Sequence, residues 1–355
     1  MPVERYLQSA IATDALASRK MAFISGPRQV GKTTLAKKLL KDPGNYFLWD
    51  DPGFRKAWSK SPSGALALRG PGPVLLDEMH KDRRWKTKLK GVFDKQGEDI
   101  PIIVTGSARL DLYRKGGDSL MGRYFPYRLH PLSVNESSTP PAPDDILQNR
   151  TTRFAWEDLL RLGGCPEPFF GASESKARRW SRLRLDRLAT EDARDIQMVS
   201  DLNALRVVAD LLCDKVSSLL SINSLREDAG VAYGTVRSWV SMLEALYFCF
   251  LVRPYAKKLR RVLTAEPKLY LYDILRIPGE KVSARLENLA ALHLLKACHY
   301  WTDTGQGEFD LRFIRNKDKR EVDFLVLRDD KPWVMLECKS NNKTPSPHLL
   351  FFAQQ

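Results

Sequence analysis

Residues Gly26-Pro27-Arg28-Gln29-Val30-Gly31-Lys32-Thr33 fill the spacing G-x-x-x-x-G-K-[ST] in full, and few eight-residue runs restrict a fold as much. An apolar run, Lys20 to Ser25, leads in, and a helical pattern, Lys32 to Lys41, leads out. A loop between a buried strand and a helix is a phosphate cradle. Its glycines let the backbone come close, and its amides and the helix N-terminus supply positive potential. The expected nucleotide contacts are Gly26, Pro27, Arg28, Gln29, Val30, Gly31, Lys32, Thr33 and Thr34. Lys32 is expected at the β- and γ-phosphates and the Thr33 hydroxyl on Mg²⁺, so ATP and Mg²⁺ are the expected cofactors.

The same region holds three more strand-like runs, Tyr46 to Asp50, Pro73 to Asp77 and Ile100 to Thr105, separated by helical patterns. That alternation predicts a parallel α/β sheet. Asp77 and Glu78 end the third run. Asp77 is expected to hold Mg²⁺ through water, and Glu78 to polarise the attacking water. Ser107 follows the fourth run and reads either as a γ-phosphate sensor or as the cap of a turn. Arg123, in a basic turn, reads either as an arginine offered to a neighbouring subunit's phosphate or as a structural arginine; Arg109 stands open in the same way.

The balance of 57 Lys and Arg against 43 Asp and Glu, a formal charge of +14, points to polyanionic partners. The most apolar stretch, Leu246 to Val252, is too short for a membrane span, and residues 1–25 lack a signal-peptide pattern. No membrane partner is expected. Five scattered cysteines without a C-x-x-C pair exclude a disulfide framework and argue against zinc, so the cytoplasm is the expected compartment.

Ser137 to Asp145 is a Pro-rich linker pattern, and the chain from 153 to 250 is mostly helical. Ser221 to Val231 and Tyr233 to Tyr247 predict two helices around a glycine turn, a helix-turn-helix unit. The second helix offers only Arg237 and small polar residues outward, which argues against base reading. The basic cluster Arg253, Lys257, Lys258, Arg260, Arg261 and Lys268 fits a wing or loop that contacts phosphates. A second cluster, Lys176 to Arg187, reads as a solvated helix face.

One helix, Arg285 to Ala297, and three strand-like runs, Phe309 to Ile314, Arg320 to Leu327 and Trp333 to Glu337, close the chain. Alternation puts Glu321 and Asp323 on one face and Glu337 and Lys339 on one face. If those strands pair, Asp323, Glu337 and Lys339 converge. Two readings stay open. The acids hold Mg²⁺, with Glu287 completing the set and Lys339 activating water, or the charges form salt bridges in a catalytically inactive scaffold.

The phosphate loop, Leu76-Asp77-Glu78-Met79-His80 and Thr105-Gly106-Ser107, with Ser119 to Tyr124, resemble prokaryotic AAA-type ATPases of the archaeal-ATPase group. Leu271-Tyr272-Asp273, Arg285 to Leu289 and Arg320 to Phe324 resemble the domain of unknown function usually fused to them. The resemblance covers nearly the whole chain. It implies an α/β P-loop NTPase domain of AAA type (1–135), a linker (136–150), a helical region with a winged-helix-like unit (151–275) and an α+β restriction-endonuclease-like domain (276–355). It further implies ATPase activity and self-association as a homo-oligomer. The closing helix near His348 is expected to be short or missing. The leading functional expectation is an ATPase whose basic second half binds DNA, with metal-dependent nuclease activity as its strongest version. The alternative is an ATP-driven protein-interaction switch. A small-molecule kinase is a third, weaker fit, because it leaves the basic half unused.

Overall fold

Met21–Ser25 is apolar until its last residue, as suits a strand covered on both faces, and it forms β1. The computed structural model describes residues 3–67, 69–97, 99–106, 120–137, 140–146, 152–188, 201–256, 265–340 and 344–354. The chain divides into two units, 1–153 and 154–355.

In the first unit β1 joins β2 (Tyr46–Leu48), β3 (Val74–Asp77), β4 (Ile102–Thr105) and β5 (Tyr124–Arg128) in one parallel sheet of order β2-β3-β4-β1-β5. The first helix after β1, α1 (Lys32–Lys37), leaves directly from the phosphate loop; α2 (Pro52–Lys60) and α3 (Trp85–Gln96) follow later. One face of the sheet, with Phe23, Leu76 and Val104, packs with Trp58, Trp85 and Leu89 in a buried core. Asp77 and Ile24 both register with Thr105, so β1, β3 and β4 end side by side. That edge of an open parallel sheet is where ligands bind. The strand β5 carries Pro126, which an edge position tolerates because it has one ladder partner.

The expected linker at 136–150 needs correction at its start. The Glu136 carboxylate is buried and accepts from Arg5 Nε at 2.8 Å and from the Ser133 amide at 3.1 Å. A buried carboxylate with those partners is fixed structure, not linker. The Arg153 amide then donates to the Val134 carbonyl at 2.8 Å, so both sides of the Pro-rich stretch belong to the first unit.

The second unit begins with α4 (Trp156–Leu162), α5 (Glu174–Arg187) and α6 (Leu202–Asp214), followed by the expected pair α7 (Ile222–Ala229) and α8 (Tyr233–Ala245). The Ser221 hydroxyl caps α7, and Gly230 ends it in the left-handed region at φ 67°. Strands β6 (Cys249–Pro254), β7 (Lys268–Leu271), β8 (Phe309–Arg315), β9 (Glu321–Arg328) and β10 (Lys331–Leu336) form a second sheet, β10-β9-β8-β6-β7. A division at residue 275 cuts this sheet. The strands flanking the basic loop are not a free wing: β6 pairs antiparallel with β7 and parallel with β8. The helix α9 (Val282–Asp303) covers β7, β8 and β9, and α10 (Pro347–Ala353), a short closing helix, packs on β9 and β10. Among the described residues no helix is long and apolar enough to cross a membrane.

Candidate functional site

The loop after β1 is built on two glycines in backbone regions that L side chains rarely adopt, Gly26 at φ 138° and Gly31 at φ 99°. A Cβ on Gly26 would lie 2.2 Å from the Leu129 carbonyl oxygen. Gly26→Ala therefore combines a steric overlap with backbone strain of about 1–3 kcal/mol. Its expected outcome is a folded chain without measurable binding of a fluorescent ATP analogue; wild-type affinity would show that the loop tolerates the side chain.

Lys32, the first residue of α1, is buried, and its ammonium donates to the carbonyls of Gly26 at 2.9 Å and Pro27 at 2.8 Å. The lysine is thus held inside the curl of the loop. Thr33 Oγ1 donates to Asp77 Oδ2 at 2.9 Å, which brings the two expected Mg²⁺ residues together from α1 and β3. A hydroxyl and a carboxylate are hard oxygen donors, so the set fits Mg²⁺. Sequence reasoning missed two further members. Tyr46 OH donates to Asp77 Oδ2 at 3.1 Å, and Thr105 Oγ1 donates to Asp77 Oδ1. Burial first, and Asp77 second, push the Tyr46 phenol up to about 12, so it stays a donor. Tyr46 starts β2 and Thr105 ends β4, the strands on either side of β3, so only the lateral order of the sheet brings them to Asp77.

Glu78 follows Asp77 with a left-handed backbone, φ 60°. For a glutamate that conformation is costly, and such strain concentrates at functional sites. Its carboxyl is raised above the ordinary range, chiefly by burial and also by Asp77, against the lowering pull of Lys32, Lys81 and Arg28. A carboxylate poised in this way is a stronger base than a solvated one. Arg5, also missed, donates to Glu136 and to the carbonyls of Val30 and His130, tying the phosphate loop to the chain that follows β5. A lone arginine near the start of the chain carries no sequence signal for that role.

Arg123 is not brought to this cluster. Its Nε donates to Asp94 Oδ1 at 2.6 Å and its second nitrogen to Oδ2 at 3.2 Å. It precedes β5, at the amino ends of the strands, opposite the edge that bears Lys32. Within its own chain its partner is Asp94, in a bidentate surface ion pair. Ser107 and Arg109 lie outside the described residues.

In the second unit, β9 and β10 pair antiparallel with Leu336 opposite Phe324, so Asp323 and Glu337 are neighbours, and the Cys338 amide donates to Asp323 Oδ2 at 3.0 Å. Glu337 lies 3.5 Å from Lys339 Nζ and accepts from the Ser346 amide at 3.3 Å. The unforeseen participant is Lys268. Counted by sequence among the surface basic residues, it is 4% exposed and its ammonium meets Glu321 at 2.8 Å, Asp323 at 3.1 Å and Glu287 at 3.2 Å. Burial pulls that ammonium down, but Glu287, Asp323 and Glu321 outweigh it and raise it above an ordinary lysine. Tyr270 OH donates to Glu287 at 2.7 Å. The alternation Lys268, Leu269, Tyr270, Leu271 would have put both polar groups on one face of a strand. Among the described residues no group of three His, Cys, Asp or Glu side chains is arranged to hold a metal ion. Of the expected metal residues, Glu287 and Asp323 share the Lys268 ammonium, whereas Glu337 faces Lys339 and the Ser346 amide.

The other motif residues of this unit have structural partners. Asn288 donates to and accepts from the backbone of Leu271, covering the outer edge of β7. Asp273 accepts from Ser181 Oγ at 2.7 Å and lies 3.8 Å from Arg184, so part of the α5 cluster packs inward. Lys257, Lys258, Arg260 and Arg261 lie outside the described residues.

Residues 18–138 match the family model of an AAA domain, 153–274 a domain of unknown function (DUF8612) and 283–353 another (DUF4143). The uncharacterized protein Rv2008c of Mycobacterium tuberculosis is 24% identical over 360 residues, covering 96% of this chain and 77% of its own. Among solved structures, the Aeropyrum pernix ORC1 protein in complex with DNA is 13% identical, covering 81% of this chain and 93% of that one at a TM-score of 0.32. The Thermotoga maritima RuvB Holliday junction branch migration motor is 16% identical, covering 73% and 94% at 0.34. Likeness at that level says nothing of what this chain binds. The stretch that matches the AAA-domain model, residues 18–138, is the one that carries the parallel sheet, the phosphate loop and its paired acid, the architecture of an α/β P-loop domain.

Proposed function

We propose that the chain is a Mg²⁺-dependent ATPase whose basic second unit binds DNA through its phosphates. The observation that carries the ATPase reading is the hydrogen bond between Thr33 and Asp77 beside the buried Lys32. Lys32 and the loop amides bind the β- and γ-phosphates. Thr33 and Asp77 would hold Mg²⁺, which neutralises phosphate charge when bound. Glu78 orients the attacking water and draws its proton.

The DNA reading draws on charge and shape. A cleft of about 510 Å³ in the second unit is lined by Ser221 and Asn223 at the start of α7, Tyr233 and Arg237 on α8, and Arg253 on β6, with Glu266 on its wall. Among the described residues neither Arg237 nor Arg253 pairs with a carboxylate. Arginines beside hydroxyls and a helix N-terminus suit a phosphate backbone and carry no base code. The test is the steady-state ATPase rate with and without duplex DNA, with DNA affinity measured across a salt series. Arg237→Ala/Arg253→Ala should weaken binding uniformly over sequences and make the salt slope shallower by roughly 2. A rate indifferent to DNA, with an unchanged salt slope, favours the second reading: a nucleotide-driven switch acting on a protein. One observation favours an inactive nuclease-like scaffold within either reading, the ammonium among the acids of β9 and α9.

A further inference from the structure

Four groups of the second unit share one place although they come from three separate elements: the buried Lys268 from β7, and the half-buried Glu287 from α9 and Glu321 and Asp323 from β9. We propose that Lys268 is the resident cation of this cluster, standing where a divalent metal would otherwise bind, and that the cluster takes a metal only when that ammonium is removed.

Carboxylates ring the ammonium on three sides. A lysine ammonium has three hydrogens, and three carboxylates lie 2.8, 3.1 and 3.2 Å from Nζ. The acids are satisfied elsewhere as well. Glu287 Oε1 also accepts from Tyr270 OH at 2.7 Å, Asp323 Oδ2 accepts from the Cys338 amide at 3.0 Å, and Glu321 Oε2 accepts from Arg315 at 2.7 Å. Three negative charges thus face two positive ones, Lys268 and Arg315. The carboxylates surround nitrogen at ammonium distances, whereas Mg²⁺ demands oxygens at about 2.0–2.1 Å in octahedral order. A divalent ion entering this space would meet a buried like charge and leave it without partners, which is among the costliest arrangements inside a protein.

The ammonium is also fixed in place. Lys268 starts β7, where β6 pairs along Cys249 to Val252, and its ammonium lies 5.7 Å from the centre of the Phe313 ring on β8. The parallel pairing of β6 with β8 runs through Arg253 and Pro254. One side chain therefore ties β7 to β9 and α9 through charge, a role that a structural metal ion plays in other proteins.

This inference rests on the second unit alone and stands whether or not the ATPase reading holds. The test counts Mn²⁺ bound to the full chain without nucleotide, by electron paramagnetic resonance, in wild type, Asp323→Asn, Lys268→Met and Lys268→Met/Asp323→Asn. Wild type and Asp323→Asn should bind the same number of ions. Lys268→Met should gain one, at least tenfold tighter than any wild-type binding at this cluster, and the double variant should lose it again. An ion bound by wild type and lost in Asp323→Asn overturns the proposal. So does a folded Lys268→Met that gains none. Should Lys268→Met fail to fold, the comparison of wild type with Asp323→Asn still decides whether a metal occupies the native cluster.

Discussion

Lys32→Ala is expected to lower ATP affinity at least about 100-fold and to reduce turnover to the background of the assay. The ammonium sits buried in the loop, 2.8–2.9 Å from two carbonyl oxygens, so it is already aimed at the space that the loop encloses. A charge-assisted hydrogen bond contributes about 1.5–3 kcal/mol, and a lysine shared between two phosphates makes more than one. Alanine also removes the two bonds that tie the helix start to the loop, so circular dichroism should accompany the measurement. Isothermal titration with a non-hydrolysable ATP analogue reads the affinity directly. Tight binding by a folded Lys32→Ala chain would show that the nucleotide sits elsewhere.

Glu78→Gln should separate binding from chemistry. The amide keeps the size and hydrogen-bonding reach of the side chain but cannot take a proton. Hydrolysis should fall roughly 10²- to 10⁴-fold, the range for loss of a general base, while ATP affinity stays within a fewfold of wild type. The raised carboxyl gives a second readout. Glu78 acts ionised, so wild-type turnover should fall as pH drops through a value above that of an ordinary glutamate, and the residual rate of Glu78→Gln should lack that limb. The stability sign follows from the same shift. Because the folded chain holds this proton more tightly than the unfolded chain does, stability from it is complete below the unfolded value and is lost as pH rises through the folded one. Glu78→Gln should therefore be at least as stable as wild type at pH 7. Normal turnover in that variant would remove Glu78 from the mechanism.

Much of the first unit was legible because its signals are local. The phosphate loop is contiguous, and the buried runs that became β1, β3 and β4 are short, apolar and bounded by turns. Asp77 could be named because it ends such a run, but the hydroxyls of Tyr46 and Thr105 on its carboxylate could not. They arrive from two other strands, and their meeting depends on the lateral order β2-β3-β4, which no run of residues encodes. The strand β5 was obscured by Pro126, whose position at a sheet edge is a tertiary fact.

For the second unit the sequence by itself determined the helix pair around a glycine turn, through the Ser221 cap and the Gly230 stop, and the strand that carries Glu321 and Asp323. Only the tertiary structure decided what those acids face. Lys268 lies in a basic stretch of sequence, and composition assigns such a residue to the solvent. Pairing of β7 with β6 turns it inward, 55 residues from Asp323 along the chain and 3.1 Å from it in space. Charge counted along a sequence is blind to burial. In a low-dielectric interior one ammonium among three carboxylates decides whether they form a metal site or an ion cluster.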